Sequence, residues 1–217
     1  EASLKAVENA RDNYEDKVVL FSQVKLQQEN PTFDDIYHVG TLCEIRHVRK
    51  FENFLRIKLR GLDRVELKEW SKGSLSDMGT VDILHSYRQD EVEEVALVRM
   101  IAGAFEALPH VEKFLSKELM IELSKGIGAD VLSDKAVQTF PLLTERKQEY
   151  LETLGINDRL EMLLADMEKE KRMSEVEQKI NETVKERIDQ GQKDYYLREK
   201  MHAIREELGD VVEQDKD

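Results

Sequence analysis

A single cysteine, Cys43, excludes an internal disulfide and fits a reducing compartment. Aromatic residues are scarce too, at 6%, beside 36% charged residues and a mean hydropathy of -0.58. That balance describes a soluble chain with much exposed surface. No stretch approaches the roughly 18 apolar residues of a membrane-spanning helix. The opening EASLKAVENARDN is neither basic nor apolar enough for a signal peptide, so the expected location is cytoplasmic with no membrane partner. Net positive charge is also lacking. At -13, the chain is poorly suited to binding nucleic acid through phosphate neutralisation.

What is present is core-forming pattern, since 217 residues suffice for one large domain or two small ones. Glu1 to Asn13 reads as a helix, and KVVLFS (Lys17 to Ser22) as a buried strand. Asn30–Pro31 punctuates a polar connection. From Tyr37 to Tyr87 the period is two: Cys43, Ile45 and His47 alternate with charged residues, as do Leu55, Ile57 and Leu59. Val81, Ile83 and Tyr87 form a further strand after the turn-rich Ser71 to Gly79. At Asp90 the period becomes helical. Helices are expected to Pro109, over Val111 to Leu123, Ala129 to Gln138 and Pro141 to Leu154, and from Asp158 onward. Gly155 suits a C-cap and Asn157 the next N-cap.

The expected fold is therefore α+β. A small, mainly antiparallel β-sheet or partial barrel (residues 1–88) precedes a helical bundle (89–157), which ends in a very long projecting helix (158–209) and an acidic tail or linker (210–217). About 50 helical residues would make a rod of about 75 Å, longer than its own bundle can cover. It should pack against another chain, domain or client. Gly191 is its weak point, costing about 1 kcal/mol against alanine.

A search for chemistry finds little. No GxxxxGK[ST] phosphate loop occurs, and Gly126-Ile-Gly128 reads as an interhelical turn. There is no GxSxG elbow. His38, His47, His85, His110 and His202 have no metal-ligand spacing, and Cys43 alternates onto an apolar face as an inert core thiol. No catalytic, cofactor-binding or metal-binding residue is expected. What remains is surface. Phe51, Phe54 and Trp70 flank strand or turn positions, and Tyr195, Tyr196, Leu197 and Met201 lie on the long helix. Exposed groups of this kind bind unfolded chains or partner helices, although ordinary packing explains each taken singly. Arg46, Arg49, Lys50, Arg56, Lys58, Arg60 and Arg64 read as the solvated face of two strands, with a patch for an anionic partner as the alternative.

The run Gln192 to Gly209, QKDYYLREKMHAIREELG, resembles the segment that joins the N-terminal region of Lon proteases to their ATPase module. Val39-Gly40-Thr41 looks like that family's VGT strand, and LRIKLRGLDRVEL like its later strand ending in a Gly-Leu-x-Arg turn at Gly61, Leu62 and Arg64. ASLKAVENA and KVVLFSQ resemble its first helix and the strand after it. Lys147-Gln148-Glu149, Leu151-Glu152 and Asp158-Arg159-Leu160 resemble its bundle. Two features depart from the family. Its LPLR-like opening strand has no counterpart ahead of ASLKAVENA, so one or two strands would be missing and an edge exposed. The hairpin Lys50-Phe51-Glu52-Asn53-Phe54 carries two phenylalanines where a glycine is usual.

The resemblance implies a non-catalytic module of an ATP-dependent serine protease. It would capture unfolded or damaged proteins, support a hexamer, and pass substrate to an ATPase and Ser-Lys peptidase ring that uses ATP and Mg. None of that machinery is in these residues. The competing reading is a coiled-coil scaffold or dimerisation protein with a β interaction domain.

Overall fold

In a computed structural model, the chain is described at residues 2–25, 28, 30–52, 54–73, 76–109, 111 and 114–207. It forms two compact units, Glu1–Met167 and Glu168–Asp217. The first unit begins with helix α1 (Ala2–Asn13) and strands β1 (Lys17–Leu20), β2 (Val39–Lys50), β3 (Leu55–Ser71) and β4 (Met78–Leu84). The strands pair antiparallel in the order β1-β2-β3-β4. Alternation sets the faces, as the period of two requires. Ile45, Val48, Ile57 and Leu59 turn to one side and pack with Val18 against Val7 and Ala10 of α1.

The Gly-Leu-x-Arg motif is not a turn. β3 runs straight through it for 17 residues. Gly61 pairs with Cys43 and Asp63 with Leu42, so Leu62 is an extra residue held in a bulge. A second irregularity lies at Arg46. Tyr87 is likewise no strand residue. β4 ends at Leu84, and Tyr87 makes only an isolated parallel bridge to Gly155.

The helical part comprises α2 (Glu91–Glu106), α3 (Lys117–Lys125), α4 (Ala129–Thr139), α5 (Thr144–Glu152) and the start of α6 (Ile156–Glu207). Asp90 caps α2 by accepting from Glu93 N at 2.8 Å. α3 starts later than Val111 because Ser116 caps it, accepting from Leu119 N at 3.1 Å. Gly126, at φ 86°, ends α3 in the left-handed conformation. Phe105, Phe140, Ile101, Leu132, Leu160, Leu163 and Met167 fill the core between these helices. α5 is shorter than expected and its C-cap is Thr153, not Gly155. α6 begins at Ile156, so Asn157 is helical; Gln89 Oε1 instead accepts from Asn157 N (3.1 Å) and Asp158 N (3.3 Å).

The second unit is the remainder of α6. The helix is continuous to Glu207 and passes Gly191 without a break. Leu208, Gly209 and the acidic tail, like His110 and Asn53, lie outside the described residues.

Gly40, in the VGT run, has a steric reason. A Cβ there would lie 2.3 Å from Leu20 O and 2.4 Å from the Phe21 ring. Gly103, inside α2, has nothing within 4 Å. Gly40→Ala should therefore lower the unfolding free energy by about 1–3 kcal/mol. Gly103→Ala should leave it unchanged or raise it by about 0.5–1 kcal/mol. Urea titration of both variants checks the contrast.

Candidate functional site

The β2–β3 hairpin ends in an aromatic stack. Phe51 N donates to Phe54 O at 2.9 Å, closing the turn that lacks glycine. The Phe51 and Phe54 rings stack with centroids 4.5 Å apart and planes 15° apart, and both are exposed. Burial of the pair against itself removes only part of its apolar surface from water. Arg56 sits over Phe51, 5.8 Å from its centroid. The turn that departs from the family pattern is thus a cationic, aromatic tip. Trp70 is not part of it. It lies half-buried at the other end of β3, paired with Gly79.

Tyr195, Tyr196, Leu197 and Met201 are exposed on α6, at 67%, 62%, 47% and 54%. They belong to the second unit, the hairpin to the first. Met173, Val176, Ile180, Val184, Ile188 and Tyr195 are exposed as well and follow one another at steps of three, four or seven. Met173, Val184 and Tyr195 are eleven residues apart. That period makes a nearly straight apolar seam on a 3.6-residue helix. Leu197, Met201 and Ile204 fall about 120° round the helix from it, at about 100° per residue. Tyr196 lies off both faces.

Sequence reasoning did not foresee the joints between sheet and helices. Arg64 reaches out of β3 to donate to Leu151 O (Nε, 3.1 Å) and to both oxygens of Asp134 (Nη1 3.1 Å, Nη2 2.5 Å). Gln148 Nε2 donates to Val39 O at 2.8 Å. Arg159 is wholly buried; its Nη1 donates to Ser86 Oγ and Thr153 O, both at 2.9 Å, and its Nε to Ser133 Oγ at 3.2 Å. Tyr150 is buried with its hydroxyl donating to Asp166 Oδ2 at 2.8 Å, an oxygen that also accepts from Arg146 Nε at 2.8 Å. The available signal was the resemblance: Arg64, Gln148 and Arg159 all fall within its quoted motifs, and all serve as joints.

Chemistry is otherwise sparse. Cys43 is free and buried, and burial pushes its thiol up, away from the reactive thiolate. Among the described residues no group of three His, Cys, Asp or Glu side chains could hold a metal ion. No described helix is long and apolar enough to cross a membrane.

Residues 1–169 match the model of the ATP-dependent protease La (LON) substrate-binding domain. The chain belongs to the Lon substrate-binding family. It is 33% identical over 211 residues to a Lon protease of Brevibacillus choshinensis, covering 97% of this chain and 27% of that protein. With the Lon protease of Escherichia coli K12 it shares 31% identity over 212 residues, again 97% of this chain and 27% of the relative. The chain therefore spans about a quarter of the length of the Lon proteases it matches. The N-terminal domain of a Mycobacterium avium complex Lon protease has the same fold, with a TM-score of 0.63 at 15% identity, covering 77% of this chain and 86% of that one. The α+β class and the Lon resemblance thus hold. These residues correspond to the N-terminal substrate-binding region of Lon proteases.

Burial first, then the bond to Asp166, holds the Tyr150 hydroxyl well above the ordinary phenol range. A raised acid favours folding while it stays protonated, so this contribution is whole below the unfolded value of about 10 and fades as pH rises beyond it. Urea midpoints measured from about pH 8 to about pH 11 should fall more steeply above pH 10 in the wild type than in Tyr150→Phe.

Proposed function

We propose that this chain is the non-catalytic, substrate-receiving region of a Lon protease, taking hold of unfolded or damaged polypeptide and helping protomers assemble. The observation that carries the reading is the length of apolar surface that α6 leaves exposed, in a chain of the LON substrate-binding family. Charged and apolar residues alternate around a helix that no other described element of its unit covers. The Met173–Tyr195 seam suits a second helix along its length. A partner protomer is the natural source, and a hexamer would supply it. The Leu197, Met201 and Ile204 face is short and contains a flexible methionine, which suits clients of varied sequence. ATP and Mg would act in other parts of the whole protein, since these residues include no phosphate loop. That protein would work in the cytoplasm. A scaffold built on a dimerising coiled coil explains the seam but not the match over residues 1–169.

The test is Leu197→Glu with Met201→Glu in the 217-residue chain. Capture of a reduced, alkylated protein, followed by fluorescence anisotropy, should weaken at least about fivefold. The melting temperature should move by no more than about 2 °C, as for surface substitutions. Unchanged capture would remove this face from the site, and a collapse in melting temperature would make these residues core.

A further inference from the structure

The β2–β3 hairpin is a basic arm on an acidic chain. Between Glu44 and Arg60 there are six lysines and arginines against two glutamates, while the chain as a whole carries -13. His47 stands opposite Lys58 and Glu44 opposite Arg60, and one pair of cations faces directly across the strands, Arg49 opposite Arg56. Such a pair destabilises a sheet when nothing neutralises it. Arg46 is held by Glu44 at 2.8 Å. Arg49, Lys50, Arg56, Lys58 and Arg60 make no ion pair among the described residues, and all are exposed. Arg56, Lys58 and Arg60 occupy one face of β3 at every second residue, about 6.6 Å apart.

From this geometry, and resting on the substrate-receiving reading above, we infer that the solvent face of the hairpin takes acidic, extended polypeptide. Carboxylates at alternate positions of the client meet Arg56, Lys58 and Arg60, and an apolar side chain of the same segment meets the Phe51–Phe54 stack. The spacing carries the argument. Alternate side chains of an extended chain recur at the same interval of about 6.6 Å as the cations of a strand. A lipid surface would engage the tip and its nearest cations only, because Arg60 lies about 13 Å along the strand from Arg56. That exceeds the screening length of about 8 Å at physiological salt. Nucleic acid stacks successive bases on open rings, whereas here the two phenylalanines cover one another and Arg56 lies over Phe51, leaving the outer face of Phe54 for a single side chain or base.

The experiment uses the full 217-residue chain and fluorescein-labelled peptides of about 13 residues in a Ser/Gly background. One carries glutamates at alternate positions and a single Phe; its control carries lysines instead. Oligo-dT, vesicles containing phosphatidylserine and a reduced, alkylated protein are run beside them. The glutamate peptide should bind about tenfold more tightly than the lysine peptide, with the gap narrowing as salt rises. Lys58→Gln with Arg60→Gln should erase most of that preference while the unfolding midpoint moves little, since both side chains are exposed and no carboxylate is placed opposite Glu44. Phe54→Ser should weaken the glutamate peptide and keep its salt dependence.

Equal affinity for the two peptides overturns the inference. So does tighter binding of oligo-dT or vesicles that the Lys58/Arg60 variant abolishes. If the alkylated protein binds while the peptides tie, only this inference fails. If the alkylated protein does not bind at all, the substrate-receiving reading fails with it.

Discussion

The first unit depends on one buried cation. Arg159 enters the core on the first turn of α6, where an unpaired charge would be costly; its Nη1 donates to Ser86 and Thr153 and its Nε to Ser133, while its buried Nη2 has no partner among the described residues. Those partners come from three places: the strap after β4, the turn before α6, and α4. The same strap contributes Gln89 over the first amides of α6, and Tyr87, whose N donates to Leu154 O and whose O accepts from Ile156 N, both at 3.1 Å. Asn157 returns the contact, donating to Asp90 O and Glu93 Oε2 at the start of α2. Desolvation draws the Arg159 guanidinium down, with Arg64 adding repulsion, so its hydroxyl and carbonyl partners must hold the charged form in place.

Sheet and helices are joined a second time by Arg64 and Gln148. A guanidinium reaching two oxygens of one carboxylate fixes direction as well as distance, so the Arg64–Asp134 pair sets how α4 lies on β3. Its energetic contribution is moderated by solvent, since Asp134 is half exposed. The orienting role matters more. Gln148 takes the Val39 carbonyl, just beside the glycine on which Phe21 closes. The sheet is thereby held by its face and at the start of β2, leaving the far hairpin free for solvent.

How much of this was legible follows from what each signal measures. Periods of two and 3.6 report faces, and they located the four strands and the α-helices of the first unit, though not the short 3₁₀ turn at Phe33–Asp35. They miss interruptions that preserve the face. The bulge at Leu62 reads as a turn because its neighbour is glycine, yet the strand continues beyond it with Val65 and Leu67 buried. Val111, Phe114 and Leu115 read as the start of a helix because they are apolar at helical spacing. Phe114 N and Leu115 N both bond to Val111 O in a single turn, and Ser116 restarts the chain as a cap. Arg159 was hidden for another reason: an arginine beside Asp158 looks like a surface pair, and its partners lie as far back as Ser86. The exposed candidates were legible because the long helix had more apolar stripe than its neighbours could cover. That Phe51 and Phe54 would stack on each other was not legible, since side-chain pairing across a tight turn depends on backbone geometry.

The continuity of α6 has a kinetic side. Starting a helix is the costly step, with a nucleation factor of about 10⁻³, whereas each further residue adds at little cost. Residues from Ile156 to Met167 are fixed by the core, with Leu160 and Leu163 fully buried. The exposed stretch beyond them therefore inherits a ready-made nucleus and need not form one. Helix–coil physics then makes the far end the place where it frays first, the core-anchored turns being the last to unwind. Gly191, with open space around its Cα, is where such fraying most readily pauses. The fold thus keeps a long exposed helix formed without burying it.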